Sequence, residues 1–248
     1  MIAQPPKSEI AAEFQPLYAQ VKSLMVQRIG SGQWLPGEMI PNEFQLAAEF
    51  NVSQGTVRKA LIALEADKLI VRRQGRGTYV ARHTRQQTLF QFFRMVGLDG
   101  LTVTPVSKPL SHKQQPATRD QAKWLGINPG EMLHAIIRVR YFGNDPAIFE
   151  RIFVPMSLMP DLMIKPGHDM IDEMYVIYQE RYRITIAHAS EKLAAVGAAR
   201  DEARHLKIEQ HFPLLETTRI ARDVNGRIIE LRISHYKTTD YRYATEVT

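Results

Sequence analysis

Two groups of side chains in this 248-residue chain have the types and spacing to recognise charge. The first is Arg138 and Arg140, two apart in an apolar run that reads as a β-strand. Residues i and i+2 of a strand point to one face. Two guanidiniums side by side suit a carboxylate or a phosphate. Glu150 lies on the adjoining strand and can balance them, and Glu230 and Tyr236 share one parity on a later strand. On the residues alone, a cross-strand ion pair of little energetic consequence fits the same pattern. The second group is Ser53-Gln54-Gly55-Thr56 followed by Arg58-Lys59. Hydroxyls reach phosphates, Gln pairs with adenine, Arg pairs with guanine or phosphate, and Gly lets a backbone come close.

Reactive chemistry of other kinds has no foothold. There is no Cys, which excludes disulfides, thiolate catalysis and Cys-ligated zinc. No Gly-x-Ser-x-Gly elbow, His-Glu-x-x-His, Walker loop or strand-borne Gly-x-Gly-x-x-Gly is present. The eight His residues are scattered, none four apart from another, and read as surface or satisfied core histidines. No catalytic residue, metal site or cofactor is expected. No apolar run approaches the roughly 20 residues that span a bilayer, and Met1 to Glu13 has no apolar leader core. A cytoplasmic protein without membrane contact is the expectation. The formal charge is +6, and its distribution matters more than its size. From Lys68 to Leu98 there is no Asp or Glu, while Arg72, Arg73, Arg76, Arg82, Arg85 and Arg94 fall in that stretch. One-sided charge of this kind is the footprint of a polyanion partner.

The elements that must position the second group follow from periodicity. Leu17, Val21, Leu24, Met25 and Ile29 recur at helical spacing behind Pro16, and Gly30-Ser31-Gly32 ends that helix. Asn42, with Gln45 three residues on, signals a capping box for a second helix. Ser53 caps a third helix that runs through Val57, Leu61, Ile62 and Leu64 to about Asp67. Two short helices joined by a tight turn are a helix-turn-helix, whose second helix enters the major groove. Leu69–Arg73 and Thr78–Val80 flank Gln74-Gly75-Arg76-Gly77, a basic hairpin that can serve as a wing.

Residues 16–82 resemble the DNA-binding domain of the GntR family. The resemblance is carried by Pro16-Leu17-Tyr18, Pro36-Gly37, Pro41-Asn42-Glu43, Val52-Ser53-Gln54-Gly55-Thr56-Val57-Arg58-Lys59-Ala60-Leu61 and Arg73-Gln74-Gly75-Arg76-Gly77-Thr78. It implies a homodimer on double-stranded, pseudo-palindromic operator DNA. The family's DNA contacts fall on Ser53, Gln54, Gly55, Thr56 and Arg58, and in the wing on Gln74, Gly75 and Arg76. Phe44 stands where members often carry Arg or Ser, and burial is expected of it.

The rest of the chain reads as an α+β domain. Strands are expected at Val103–Pro109, Met132–Phe142, Ala147–Val154, Ile184–Ala198, Leu214–Asp223 and Arg227–Thr238. Asn225-Gly226 marks a hairpin. Helices are expected at Thr118–Leu125, Asp172–Tyr182 and Asp201–Leu206, with Asp201 placed to cap the last. The expected division is a tail over 1–15, the winged domain over 16–82, a linker over 83–88 and an effector domain over 89–248.

This second part is similar to the UTRA domain of the HutC subfamily, which has a chorismate-lyase-like antiparallel sheet with peripheral helices. Ala122-Lys123-Trp124-Leu125-Gly126, Arg138-Val139-Arg140, Asp145-Pro146 with Glu150-Arg151, and Gly226 with Glu230 and Tyr236 carry the similarity. It turns Arg138, Arg140, Glu150, Glu230 and Tyr236 from a surface ion-pair pattern into effector-pocket residues. Three stretches depart from the subfamily. Glu173-Met174-Tyr175 replaces Ser-Leu-Tyr, putting a carboxylate where a hydroxyl could bind ligand, which argues against a phosphate at that point. Phe90-Gln91-Phe92-Phe93-Arg94 is unusually aromatic where relatives can bind phosphate through backbone amides, and Asp240-Tyr241-Arg242 replaces Asp-Arg-Tyr. The function implied is a sequence-specific repressor whose operator affinity is set by a small anionic metabolite. A ligand-independent DNA-binding protein and a lyase-like enzyme fused to a DNA-binding domain are the alternatives.

Overall fold

The computed structural model describes residues 15–170 and 173–245. Met1 to Phe14, nearly all of the expected tail, Ile171 and Asp172, the latter the expected start of a helix, and the last three residues lie outside that description. The chain opens with α1 (Leu17–Gly30), α2 (Glu43–Phe50) and α3 (Gln54–Ala66), followed by β1 (Ile70–Arg73) and β2 (Gly77–Val80). Asn42 and Gln45 form the expected capping box, each side chain accepting from the other's backbone N–H at 2.9 and 3.0 Å. Asn51 closes α2 in the left-handed conformation at φ 53°, a geometry Asn tolerates. Val21, Met25, Ile29, Leu46, Val57, Leu61 and Leu64 pack into one core with Trp34, Ile40 and Ile70. Leu17, Leu24 and Ile62, read as part of the apolar stripes, face solvent instead. The buried stripe on α1 is the narrower set at i, i+4 and i+8. β1 and β2 pair antiparallel from Ile70↔Val80 to Arg73↔Gly77. Ile40 donates to Thr78 and Val80 to Glu38, at 2.9 Å each, so a third extended segment braces the wing.

The segment read as a linker, 83–88, is where α4 (Arg85–Phe92) begins. Its capping box, Thr84 with Gln87, is the device that starts it. Beyond it lie β3 (Met95–Gly97), β4 (Val106–Pro116), α5 (Arg119–Leu125), β5 (Met132–Phe142) and β6 (Asp145–Pro155). The chain then forms α6 (Met174–Tyr182), β7 (Ile186–Gly197), α7 (Arg200–Leu206), β8 (Pro213–Asp223), β9 (Ile228–Tyr236) and β10 (Tyr241–Tyr243). Six strands make one antiparallel sheet in the order β4-β5-β6-β9-β8-β7, and β3 pairs with β10 in a small separate ribbon. The first expected strand is displaced, since Val106 rather than Val103 opens it and it runs seven residues beyond Pro109. α7 is capped by Ala199 without a side-chain hydrogen bond. Asp201 sits instead in its first turn, where a carboxylate favours the helix dipole.

The central strands β5 and β6 are buried along nearly their whole length, because helices cover both faces of the sheet. One face meets α6, through Ile136, Ile152, Tyr175, Tyr178 and Ile229. The other meets α5 and α7, through Leu133, Phe153 and Leu231 and through Val139, Phe149 and Leu206. Strand register carries a polar row across the α6 face. Arg138 stands opposite Glu150, and Glu150 opposite Ser234. One step along, Ile152 faces Arg232, Arg232 faces Arg219, and Arg219 faces Glu191.

The two parts touch directly. His83 donates its backbone N–H to Gln179 at 2.6 Å, and its Nε2 meets the Ile186 carbonyl at 3.0 Å. Arg82 pairs with Glu180 at 2.9 Å. Ala187 and Val224 pack against the core of the first domain.

Candidate functional site

The nucleic-acid surface is assembled from α3 and the wing. Ser53 accepts from the Thr56 N–H at 3.1 Å, and the two hydroxyls lie 2.9 Å apart. This closes the first turn of α3 and leaves Ser53, Gln54, Gly55 and Arg58 exposed, with Thr56 half-buried. A Cβ on Gly55 would meet nothing nearer than the Ser53 hydroxyl at 3.7 Å. Packing inside the chain therefore does not demand glycine there, and the open backbone is available to a partner. Arg58 is aimed by Glu43, which accepts from its Nε at 2.9 Å and raises its pKa through that bond. Arg72 at the base of the wing also approaches Glu43, at 4.0 Å, and Glu65 at 3.4 Å. One carboxylate thus ties α2, the recognition helix and the wing together. Gln74, Gly75 and Arg76 form the exposed wing tip. Gly75 and Gly77 take φ of 69° and 110°, which side chains rarely adopt. Phe44, expected to be buried, is 70% exposed. It follows Glu43 on the first turn of α2, on the side away from the core that Leu46 and Ala47 enter.

The second site is a lattice of ion pairs on the α6 face of the sheet. Arg138, Arg140, Glu150, Glu230 and Tyr236 are all buried. Arg138 donates from Nε to Glu150 at 2.5 Å. Arg140 donates to Glu173, the residue before α6, at 2.6 Å, and Arg138 lies 3.7 Å from the same carboxylate. Arg232 reaches both Glu230 oxygens at 2.9 Å and lies 3.7 Å from Glu150. Tyr178 donates to Glu230 at 2.6 Å. Arg219 binds Glu191 at 2.6 Å and donates to the Phe92 carbonyl, also at 2.6 Å. Glu191 in turn accepts from Tyr243.

Burial raises the Glu150 carboxyl, but Arg138, Arg232 and Arg140 outweigh it and hold the group well below the usual carboxylate range. Burial lowers Arg140 to about 10, against the pull of Glu173, so it stays charged at neutral pH. Burial and then Glu230 push Tyr175 up to about 12 and Tyr178 well above its ordinary value. Both phenols therefore act as donors.

From the sequence, Glu150 is placed to balance the two guanidiniums, and an anionic ligand is expected beside them. In the structure Glu150 pairs with Arg138 as expected, and Glu173, a partner the strand pattern does not announce, pairs with Arg140. The cavity beside them holds only about 10 Å³, room for a single water. Arg140, Arg219 and Arg232 line it from the sheet, Glu173 and Tyr175 from the start of α6, and Thr88, Leu89 and Phe92 from α4 with Phe93 just beyond it. Of the five residues read from sequence, Arg140 lines this cavity. Arg138, Glu150 and Glu230 lie in the lattice beneath it. Tyr236 sits apart in a cluster with Met95, Phe142 and Ile148, its hydroxyl 3.5 Å from that of Thr217. Arg232 shares the strand parity of Glu230 and Tyr236, a signal that could have found it. Arg219 and Tyr178 come into reach only through tertiary structure. Among the described residues no group of three or more His, Asp or Glu is placed to hold a metal ion, and no helix is long and apolar enough to cross a membrane.

Comparison with known proteins agrees with both halves. Residues 17–80 match the model of the gntR family of bacterial regulatory proteins, and residues 101–242 match the UTRA domain. The mannosyl-D-glycerate transport/metabolism system repressor MngR of Escherichia coli K12 is 29% identical over 92% of this chain and 95% of its own. The repressor NagR of Bacillus subtilis is 29% identical over 92% and 93%. The histidine utilization repressor of Pseudomonas putida is 27% identical over 85% and 86%. Among solved structures, the ligand-binding domain of a regulator assigned to the GntR family from Bordetella bronchiseptica aligns with a TM-score of 0.60 at 22% identity, over 68% of this chain and all of that one. PhnF from Mycobacterium smegmatis aligns at 0.54 and 21%, over 92% and 99%, a likeness of fold. An exposed, hydroxyl-capped recognition helix and basic wing, joined to a buried ionic lattice on an antiparallel sheet, belong here to a GntR-family transcriptional regulator of HutC type with a UTRA domain.

Proposed function

We propose that this protein is a repressor that binds a pseudo-palindromic operator as a homodimer and is controlled by a small molecule held at the lattice beside Arg140. Ser53, Gln54, Gly55, Thr56 and Arg58 read the major groove, and Gln74, Gly75 and Arg76 follow the backbone or minor groove from the wing. Work on operator DNA is the ground on which we propose a cytoplasmic location. The observation that carries the reading is the position of α4. It starts five residues after the wing strand β2 ends. Its far end roofs the cavity, with Phe92 edge-on to Tyr175 at 5.0 Å and Phe93 under the Arg140 guanidinium at 4.7 Å. A molecule entering a cavity this small must lift that end of α4. The same helix is the covalent route to the DNA-binding domain. Effector and operator are then coupled reciprocally, each weakening or strengthening the other by one factor.

The lattice supports binding rather than turnover. Its carboxylates are spent on arginines and its phenols are raised too far to exchange protons near neutrality. That argues for a switch and against an enzyme.

The test uses operator DNA selected from a random library with the full-length protein. Arg58→Ala abolishes operator binding with unfolding unchanged, since Arg58 is exposed and its removal opens no cavity. Arg219→Ala releases the Phe92 carbonyl and Glu191, neither of them in the helix-turn-helix or the wing, and shifts operator affinity. Wild-type affinity in Arg58→Ala refutes the recognition-helix assignment. Wild-type affinity in a folded Arg219→Ala refutes the route through α4.

A further inference from the structure

We propose that Glu173 is the specificity residue of this site, its carboxylate standing where a ligand's anionic group would stand, so that the effector is an uncharged, oxygen-rich molecule and phosphate esters are excluded. The inference rests on the reading of this lattice as the effector site. Each of the four guanidiniums on this face already meets a carboxylate within 2.9 Å: Arg138 with Glu150, Arg140 with Glu173, Arg219 with Glu191, Arg232 with Glu230. The lattice is neutral as it stands. An added phosphate would bring uncompensated negative charge into a buried place, which is costly unless paired.

What the site lacks is acceptors. Arg140 Nε and the Thr88 hydroxyl, both on residues lining the cavity, are buried without a hydrogen-bond partner among the described residues. Arg138 Nη2 and the Ser107 hydroxyl are in the same condition nearby. Neutral hydroxyl or carbonyl oxygens satisfy such groups without adding charge. The rings of Phe92, Phe93 and Tyr175 offer apolar faces for the carbon skeleton between those oxygens. Glu173 is the one carboxylate of the lattice that a helix start, rather than a strand of the sheet, brings to the arginines. Exchanging its charge changes what the site admits while the sheet's own pairs persist.

The experiment is calorimetric titration of the full-length protein with inorganic phosphate, in wild type and in Glu173→Gln, with circular dichroism to verify folding. The expected result is no saturable binding to wild type at any concentration reached and saturable binding to Glu173→Gln with a Kd at least about tenfold below the highest of those concentrations, the scale of one freed charge-assisted contact. Glu173→Ser, which also shortens the side chain, gains phosphate binding as well. Saturable phosphate binding to wild type as tight as to Glu173→Gln overturns the proposal. So does the absence of a gain in both variants when folded. Operator titration of Glu173→Gln with and without phosphate separates the two ideas. Phosphate that binds the variant yet leaves operator affinity unchanged upholds the charge exclusion and refutes the coupling of this site to DNA.

Discussion

His83 sits at the junction between the two domains, 7% exposed, with its Nε2 3.0 Å from the Ile186 carbonyl. A carbonyl only accepts, so in the neutral ring Nε2 carries the proton. Burial holds the folded pKa down to about 4 from an ordinary 6.5. The sign follows from which state takes up the proton. Between those two values the unfolded chain binds a proton that the folded chain refuses, so acid favours unfolding. The contribution of His83 is whole above 6.5, declines as pH falls below it, and is gone below about 4. At about 1.4 kcal/mol per pH unit the full effect is about 3 kcal/mol, of which about 2 is lost near pH 5. The perturbation is His83→Gln, which removes the titration. Urea unfolding of wild type and variant near pH 7.5 and near pH 5 measures the difference of differences. The variant is less stable near pH 7.5, having lost the bond to Ile186. Its additional loss near pH 5 is smaller than that of wild type by about 2 kcal/mol. Carboxylates such as Glu150 titrate alike in both proteins and cancel. Equal acid sensitivity in the two would refute the assignment of a buried neutral imidazole at the junction.

Gly55→Ala has room for its methyl and gains helix propensity, so unfolding stability is unchanged or rises by up to about 1 kcal/mol. Operator affinity falls if the DNA backbone comes up against this turn, and unchanged affinity in a gel-shift titration would show that it does not. Thr84→Ala removes the cap of α4 and lowers stability by about 1 kcal/mol in urea unfolding; no change would mean that packing alone starts this helix. Tyr178→Phe removes the shortest phenol bond to the buried Glu230 and costs about 1–3 kcal/mol by thermal or urea unfolding. A neutral outcome would show that Arg232 satisfies that carboxylate unaided. His112 is lowered by burial and then by His134. Its Nδ1 accepts from the Ile164 N–H at 3.1 Å, and its Nε2 meets His134 Nδ1 at 2.9 Å. Protonating His112 breaks the first bond, so the protection of the Ile164 amide, taken against its intrinsic exchange rate at each pH, falls on acidification below the ordinary imidazole range, and protection that does not change with pH would refute it.

The parts of the fold legible in the sequence are those where one local rule acts alone. Met132–Phe142 reads as a strand end to end because its apolar run is bounded by turn residues on both sides. Asn42-x-x-Gln45 announces its helix because the capping box is written in adjacent residues. Thr84-x-x-Gln87 carries the same box, yet the basic, acid-free composition around it reads as a linker and masks α4. Met95–Gly97 and Tyr241–Tyr243 are short strands that exist through each other, across a separation no local pattern spans. Phe44 shows the converse limit: an apolar side chain on a first helical turn can point away from the core that the same turn supplies.

The site divides along the same line. Strand parity places Arg138 and Arg140 on one face and Glu150 opposite, and the register bears that out. Parity also puts Tyr236 with Glu230, and the two do share a face, but five residues of strand lie between them and Tyr236 joins a different cluster. Whether an arginine pair is free or engaged is decided by what the opposite layer delivers. Here α6 delivers Glu173 to Arg140 and Tyr178 to Glu230. The sequence shows that residue 173 is acidic; it does not show that its carboxylate reaches the sheet. An arginine pair on a strand is therefore evidence for an anion, and the anion can be one the chain supplies itself. In that case the ligand specificity of the pocket lies less in the arginines than in the residue that neutralises them.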